Sequence, residues 1–289
     1  MAEKMVKANG VDICTQTFGD ASDPPILLVM GATASMLRWD QGFCERLAAG
    51  RRFVIRYDNR DTGRSTTYDP GTVPYTVEDM ADDAVGVLDA FGIEKAHIVG
   101  ASMGGMITQQ VALRHPDRVL TITPIMTTPD TSVIAAMAGD TSNPLPGPEE
   151  KVVSAMMAGL AIDPTDEDAV ITTAVAMNEA VAGTKHPFDR EAGREFVVSE
   201  MKRASNYRSN QNHVLAIGNT PPWRDRLGQI TAPTLVIHGN EDPILPYAHG
   251  VAVSEEIPGA KLLTMDGVGH EIPEGEWDVI VPAILEHTA

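Results

Sequence analysis

The chain has 289 residues, enough for one large α/β domain or for such a core carrying an inserted smaller domain. With 40 acidic side chains against 22 basic ones the net charge is −18, which speaks against nucleic acid or an anionic membrane surface as a main partner. Cys14 and Cys44 form neither a disulfide framework nor a metal-ligand spacing, and the apolar run around "PPILLVMGA" is too short to cross a membrane. The N-terminus lacks the long apolar run of a signal peptide. The expectation is a cytoplasmic protein, monomer or homodimer, acting on a small molecule with no metal, no cofactor, no nucleic acid and no membrane.

In chain order, "MVKANGVDICTQTFG" predicts two short strands around an Asn9-Gly10 turn. "PPILLVMG" (24–31) is a continuous apolar run bounded by prolines and a glycine, the pattern of a strand buried on both faces. A helix end then leads into a strand over Phe53 to Tyr57. Val77, Met80, Ala81, Ala84, Val87 and Leu88 recur at helical spacing, with Thr76 placed to cap the start and Gly92 the end. "KAHIVGAS" predicts a strand and "GGMITQQVALRHPD" the helix after it. "VLTITPIM", "APTLVIHG" and "KLLTMDG" are further strands, and a last helix runs from about Glu276 to His287.

Strands alternating with helices at this spacing imply a doubly wound, mostly parallel sheet. The rhythm breaks between Pro129 and Pro222, where helical stretches follow one another without a strand and "TSNPLPGPEE" (141–150) reads as a loop. The expected organisation is a core over 1–128, a helical cap over 129–222 and the rest of the core over 223–289. A cap is preferred to a separate domain because it interrupts a sheet and so must sit over one end of it.

"GASMG" (100–104) fits G-x-S-x-G between a predicted strand and a predicted helix. Such a turn lifts a serine hydroxyl clear of the sheet edge, and its glycines leave room where any Cβ would clash. Ser102 is therefore the candidate nucleophile, in preference to a helix-capping serine. A serine needs a base, and in this arrangement an acid and then a histidine follow on later strand-end loops. "LVIHGNEDPILP" offers Asp242 and "LLTMDGVGHEIP" offers His270, with Asp130 as the rival acid and Glu241 and Asp266 as weaker ones. The charge on a tetrahedral intermediate needs donors, for which the backbone N–H groups of Met103 and Ala32 are placed.

These stretches, with "LLVMGATASMLRW" (27–39) and "VIRYDNRDTGRS" (54–65), resemble the α/β-hydrolase superfamily over nearly the whole chain outside the cap. Within it, the tryptophan after "LLVMG" and the "RYDNRDTGRST" run look most similar to the aclacinomycin methylesterase group. The resemblance implies a triad of Ser102, Asp242 and His270 with an oxyanion hole at Ala32 and Met103. It also implies that Asp58, Arg60 and Arg64 tie a structural loop. Many relatives carry His-Gly before the oxyanion residue; here it is Met30-Gly31, which changes the pocket floor and keeps the backbone donors. Ser102 argues against dehalogenases and epoxide hydrolases of this fold, which use an aspartate.

Met30, Trp39, Met137, Met156, Met177, Tyr207 and Trp223 are the candidate pocket residues, methionine being suited to an adaptable apolar wall. The expected activity is hydrolysis of a small-to-medium apolar carboxylic ester, a methyl ester on a polycyclic metabolite among them. The alternatives are a serine-dependent C–C hydrolase, which would need a cap-side cation such as Lys202, Arg203 or Arg208, a cofactor-free haloperoxidase or perhydrolase, and a ligand receptor on a hydrolase fold.

Overall fold

The computed structural model describes residues 2–131 and 145–289. Eight strands form one sheet: β1 (Lys4–Ala8), β2 (Val11–Phe18), β3 (Pro25–Val29), β4 (Phe53–Tyr57), β5 (Ala96–Ala101), β6 (Val119–Ile125), β7 (Leu235–Gly239) and β8 (Lys261–Met265). Their order is β1-β2-β4-β3-β5-β6-β7-β8. The pairings of β2 with β1 and β4 are antiparallel and all others parallel, as the sequence leads one to expect. Asn9 and Gly10 both take positive φ (43° and 79°), the pair of angles a two-residue hairpin turn demands.

The apolar run 25–29 is continuous because both faces of β3 are covered. Ile26 and Leu28 pack with Phe43, Leu47, Ile280 and Ile284 from α1 (Gln41–Ala49) and the last helix (Trp277–His287). Leu27 and Val29 point the other way, into a cluster with Met80, Leu88, Ile107 and Val111 from α2 (Val77–Ala90) and α3 (Met103–Arg114). Helix α2 starts at a capping box between Thr76 and Asp79, and Gly92 turns the chain out beyond its end at φ 68°. Register places Val29 beside Gly100 and Ala101 beside Ile125, so the carboxyl ends of β3, β5 and β6 lie side by side.

Between β6 and β7 the described chain is helical: α4 (Glu150–Leu160), α5 (Glu167–Val181), α6 (Arg190–Arg203) and the short α7 (Asn212–Gly218). Asp166 and Asp189 cap α5 and α6 through their side chains. Ile171 and Val175 on α5 meet Val197 on α6 in a small cluster of their own. Met137 and the first part of the expected 141–150 loop lie outside the described residues. Among those described, no helix is long and apolar enough to cross a membrane.

The "DNRDTGRS" stretch ties the loop after β4 to its surroundings. Asp58 accepts from the amides of Met36 (2.9 Å) and Arg64 (3.0 Å) and pairs with Arg203 (2.7 Å). Arg60 forks onto Asp83, with Nε 2.6 Å from Oδ2, and both side chains are buried. Removing one partner of a buried pair strands the other charge. Asp83→Ala is therefore expected to lower the unfolding free energy by about 3–5 kcal/mol, read from urea denaturation. The double replacement Arg60→Met, Asp83→Leu should regain most of that loss, because it removes both charges and keeps the volume.

Candidate active site

Ser102 directly follows β5 and is the N-cap residue of α3, at φ 56° and ψ −120°. A non-glycine residue there carries strain of about 1–3 kcal/mol and persists only when its surroundings fix it. They do: the Ser102 amide donates to the Ile125 carbonyl (2.9 Å), and its own carbonyl accepts from the Gly105 amide and the Thr127 hydroxyl, both at 2.8 Å. The turn is also crowded. A Cβ on Gly100 would fall 2.1 Å from the Gly104 carbonyl oxygen, and one on Gly104 would fall 2.1 Å from the Val29 carbonyl oxygen. A Cβ on Gly31 would lie 2.9 Å from that of Ser102. The Ser102 hydroxyl makes no capping bond to α3, and the residue is only partly buried, which does not fit a capping role.

Asp242 follows β7 and His270 lies beyond β8, so both sit at the sheet edge that carries Ser102. Asp242 Oδ1 accepts from the amides of Ile244 and Leu245, each at 2.9 Å. Its Oδ2 lies 2.7 Å from His270 Nδ1 and 3.3 Å from His238 Nε2. Burial alone would raise the Asp242 pKa, but His270 and His238 outweigh it and hold the carboxyl well below the usual range. An ionised Asp242 can only accept, so the proton between them sits on His270 Nδ1. The rival acids are engaged elsewhere: Glu241 with Thr184, Asp266 with Asn240, and Asp130 lies 3.9 Å from Arg224.

The segment Met30–Thr33 leaves the end of β3 and passes beside Ser102. Asn59 Nδ2 donates to the Met30 carbonyl (2.9 Å), and the Thr33 amide donates to His213 Nδ1 (3.0 Å). Neither the Ala32 nor the Met103 amide donates a hydrogen bond to another described residue. The Met103 N–H is one of the open donors at the start of α3, where the helix dipole adds positive potential.

The expected pocket residues separate into groups. Met30 is buried next to the elbow. Trp39 and Trp223 lie in the two cores: Trp39 stacks on Phe43 at 5.6 Å, and Trp223 Nε1 donates to Gln109 at 3.0 Å. Met156, Met177 and Tyr207 are half-buried on the helices between β6 and β7. Sequence reasoning overlooked the supports around the site. His238 and His213 have no motif to mark them, and each is recognised only by what it touches. Glu241 and Glu271, next in sequence to Asp242 and His270, were also missed as a pair. They accept from the amides of Thr184 (2.7 Å) and Gly183 (2.9 Å), fastening the α5–α6 connection to the loops that carry Asp242 and His270. The His270 amide completes the join by donating to the Val181 carbonyl (2.8 Å).

A sheet in this order, with a serine elbow after β5, an acid after β7 and a histidine after β8, defines the α/β-hydrolase class. Residues 24–153 match the family described as alpha/beta hydrolase fold, and residues 202–281 match one described as TAP-like protein. Rhodomycin D methylesterase DauP of Streptomyces sp. (strain C5) is 34% identical over 100% of this chain and 98% of its own length. Rhodomycin D methylesterase DnrP of Streptomyces peucetius is 32% identical with the same coverage. In structure, esterase RhEst1 from Rhodococcus sp. ECU1013 superposes with a TM-score of 0.77 over 100% of both chains at 20% identity, a likeness of fold alone. The chain belongs to the α/β-hydrolase family.

Proposed function

We propose that the chain is a serine carboxylic-ester hydrolase that removes a methyl ester from a polycyclic metabolite. The observation that carries this is the 2.7 Å pairing of buried Asp242 with His270 at the sheet edge of a strained, uncapped Ser102. The full-length similarity to two methylesterases supports the ester and its alcohol.

In this reading His270 Nε2 takes the Ser102 proton as Oγ attacks the ester carbonyl. The carbonyl oxygen becomes an oxyanion held by the Ala32 and Met103 amides. Collapse breaks the bond to the methoxy oxygen, which leaves as methanol with the proton from His270. Water then gives a proton to His270, attacks the acyl-enzyme, and releases the carboxylic acid as the proton returns to Ser102. The helices between β6 and β7 act as a cap, with Met156, Met177 and Tyr207 facing the substrate. Of the three cations a C–C hydrolase could use to hold a substrate carboxylate, Arg203 is already bound to Asp58 and Glu3. A cytoplasmic location belongs to the same reading, supported by two free buried cysteines and the acidic charge.

The test is a substrate panel: p-nitrophenyl esters from acetate to octanoate, the methyl ester of a tetracyclic aromatic polyketide, and a vinylogous diketone. Methanol and free acid released in equal amounts from the methyl ester are expected. Turnover of the diketone with none of the esters would overturn the proposal.

A further inference from the structure

We infer that His213 is a positioning residue for the oxyanion hole: its ring fixes the backbone segment that presents the Ala32 amide to the developing charge. The inference rests on the esterase reading above and adds to it a residue from α7, outside the triad and its loops.

The segment Met30–Thr33 must hold an unusual course. Thr33 has φ 63°, a left-handed angle that is costly for a β-branched residue. Thr33 itself is exposed, so few contacts of its own side chain can hold that angle. Two hydrogen bonds from outside the segment do so instead. Asn59 binds the carbonyl of Met30 and His213 binds the amide of Thr33, one on each side of Gly31 and Ala32. The Ala32 amide lies between these two anchors.

The His213 ring can serve in only one protonation form. Its Nε2 lies 2.7 Å from the Arg60 carbonyl, which can only accept, so Nε2 carries the proton. Its Nδ1 faces the Thr33 N–H, which can only donate, so Nδ1 must be bare. The ring is fully buried, and burial pushes its pKa below the ordinary histidine value, in keeping with a neutral imidazole. The helix that carries it is itself fixed. Asn212 donates to the Asp61 carboxylate (3.1 Å) and accepts from the Gly71 amide (2.8 Å). Thr220 accepts from the Val77 amide at 2.9 Å. The acceptor for Thr33 is therefore held by the core and does not depend on the mobile rotamers of an exposed side chain.

Two substitutions separate the ring's two bonds. His213→Asn puts an amide oxygen near the position of Nδ1, keeping an acceptor for Thr33 and losing the bond to Arg60. His213→Gln puts an amide nitrogen near the position of Nε2, keeping the bond to Arg60 and leaving Thr33 without its acceptor. Losing an oxyanion donor outright costs about 10²–10³ in kcat, so mispositioning one is expected to cost roughly 10–100-fold. The experiment measures kcat and KM for a p-nitrophenyl ester, with active sites titrated by a fluorophosphonate. It also measures affinity for a phenylboronic acid, whose tetrahedral adduct places an oxygen in the same hole. His213→Gln should lose kcat and boronate affinity together with little change in KM, and His213→Asn should retain most of both. An active wild type whose kcat is unchanged in His213→Gln would overturn the inference. So would equal losses in the two variants that follow their melting temperatures. A wild type that hydrolyses no ester and forms no boronate adduct would instead overturn the esterase reading, and this inference with it.

Discussion

Ser102→Ala is expected to lower kcat for ester hydrolysis by about 10⁴-fold or more while leaving the fold as stable as before. The two halves of that expectation have separate causes. Activity falls because no other hydroxyl occupies the elbow, and water alone must then attack beside the two backbone donors. Stability is kept because the Ser102 side chain makes no capping bond, so its removal strands no buried partner. The bonds that hold the turn use the Ser102 backbone, which alanine retains. Steady-state assays checked against thermal melts separate the two effects. Loss of activity matched by a drop in melting temperature would mean that the serine was structural.

Gly104→Ala should produce a large loss of stability from a single added methyl group. The new Cβ would meet the carbonyl oxygen of Val29 at 2.1 Å and that of Met30 at 3.0 Å. Both belong to backbone, so neither can move aside as a side-chain tip could. Overpacking a core costs typically 1–3 kcal/mol, and a clash of backbone on backbone belongs at or above that, at about 4 kcal/mol. The clash also pushes on the start of the Met30–Thr33 segment, so any folded fraction should hydrolyse ester poorly. Gly159→Ala is the control. It sits inside α4 with open space around its missing Cβ. Alanine there should stabilise by about 0.5–1 kcal/mol through helix propensity. Urea midpoints of the two variants should move in opposite directions, and a Gly104→Ala protein as stable as wild type would show that the elbow has slack.

Elements whose identity depends on local pattern were readable in advance. The run "PILLV" announces a strand covered on both faces, and it is one. The capping box at Thr76 and the Asn9-Gly10 turn follow from side-chain chemistry within a few residues. The strand–turn–helix elbow at Ser102 was legible because it needs several small residues at fixed spacing, and chance seldom supplies these with a strand before and a helix after. Asp242 was harder, since Asp130 also follows a strand. Only the pairing with His270 across loops distant in sequence separates them. The supporting shell could not be read at all. His213 serves Thr33 from 180 positions away, and the bonds from Glu241 and Glu271 to the α5–α6 connection arise only once the helices are docked. The tryptophans show the converse: an indole can line a pocket or fill a core, and sequence does not distinguish the two. Trp39 and Trp223 lie in the cores because aromatic and amide partners await them there.

Ser102, activated through His270, is the proposed nucleophile. The most direct measurement is the mass of the intact chain after brief exposure to a fluorophosphonate, followed by peptide mapping. One adduct per chain is expected, on the peptide containing Ser102, absent in Ser102→Ala and formed far more slowly in His270→Ala. An adduct on another residue, or none with a protein that still hydrolyses esters, would contradict it.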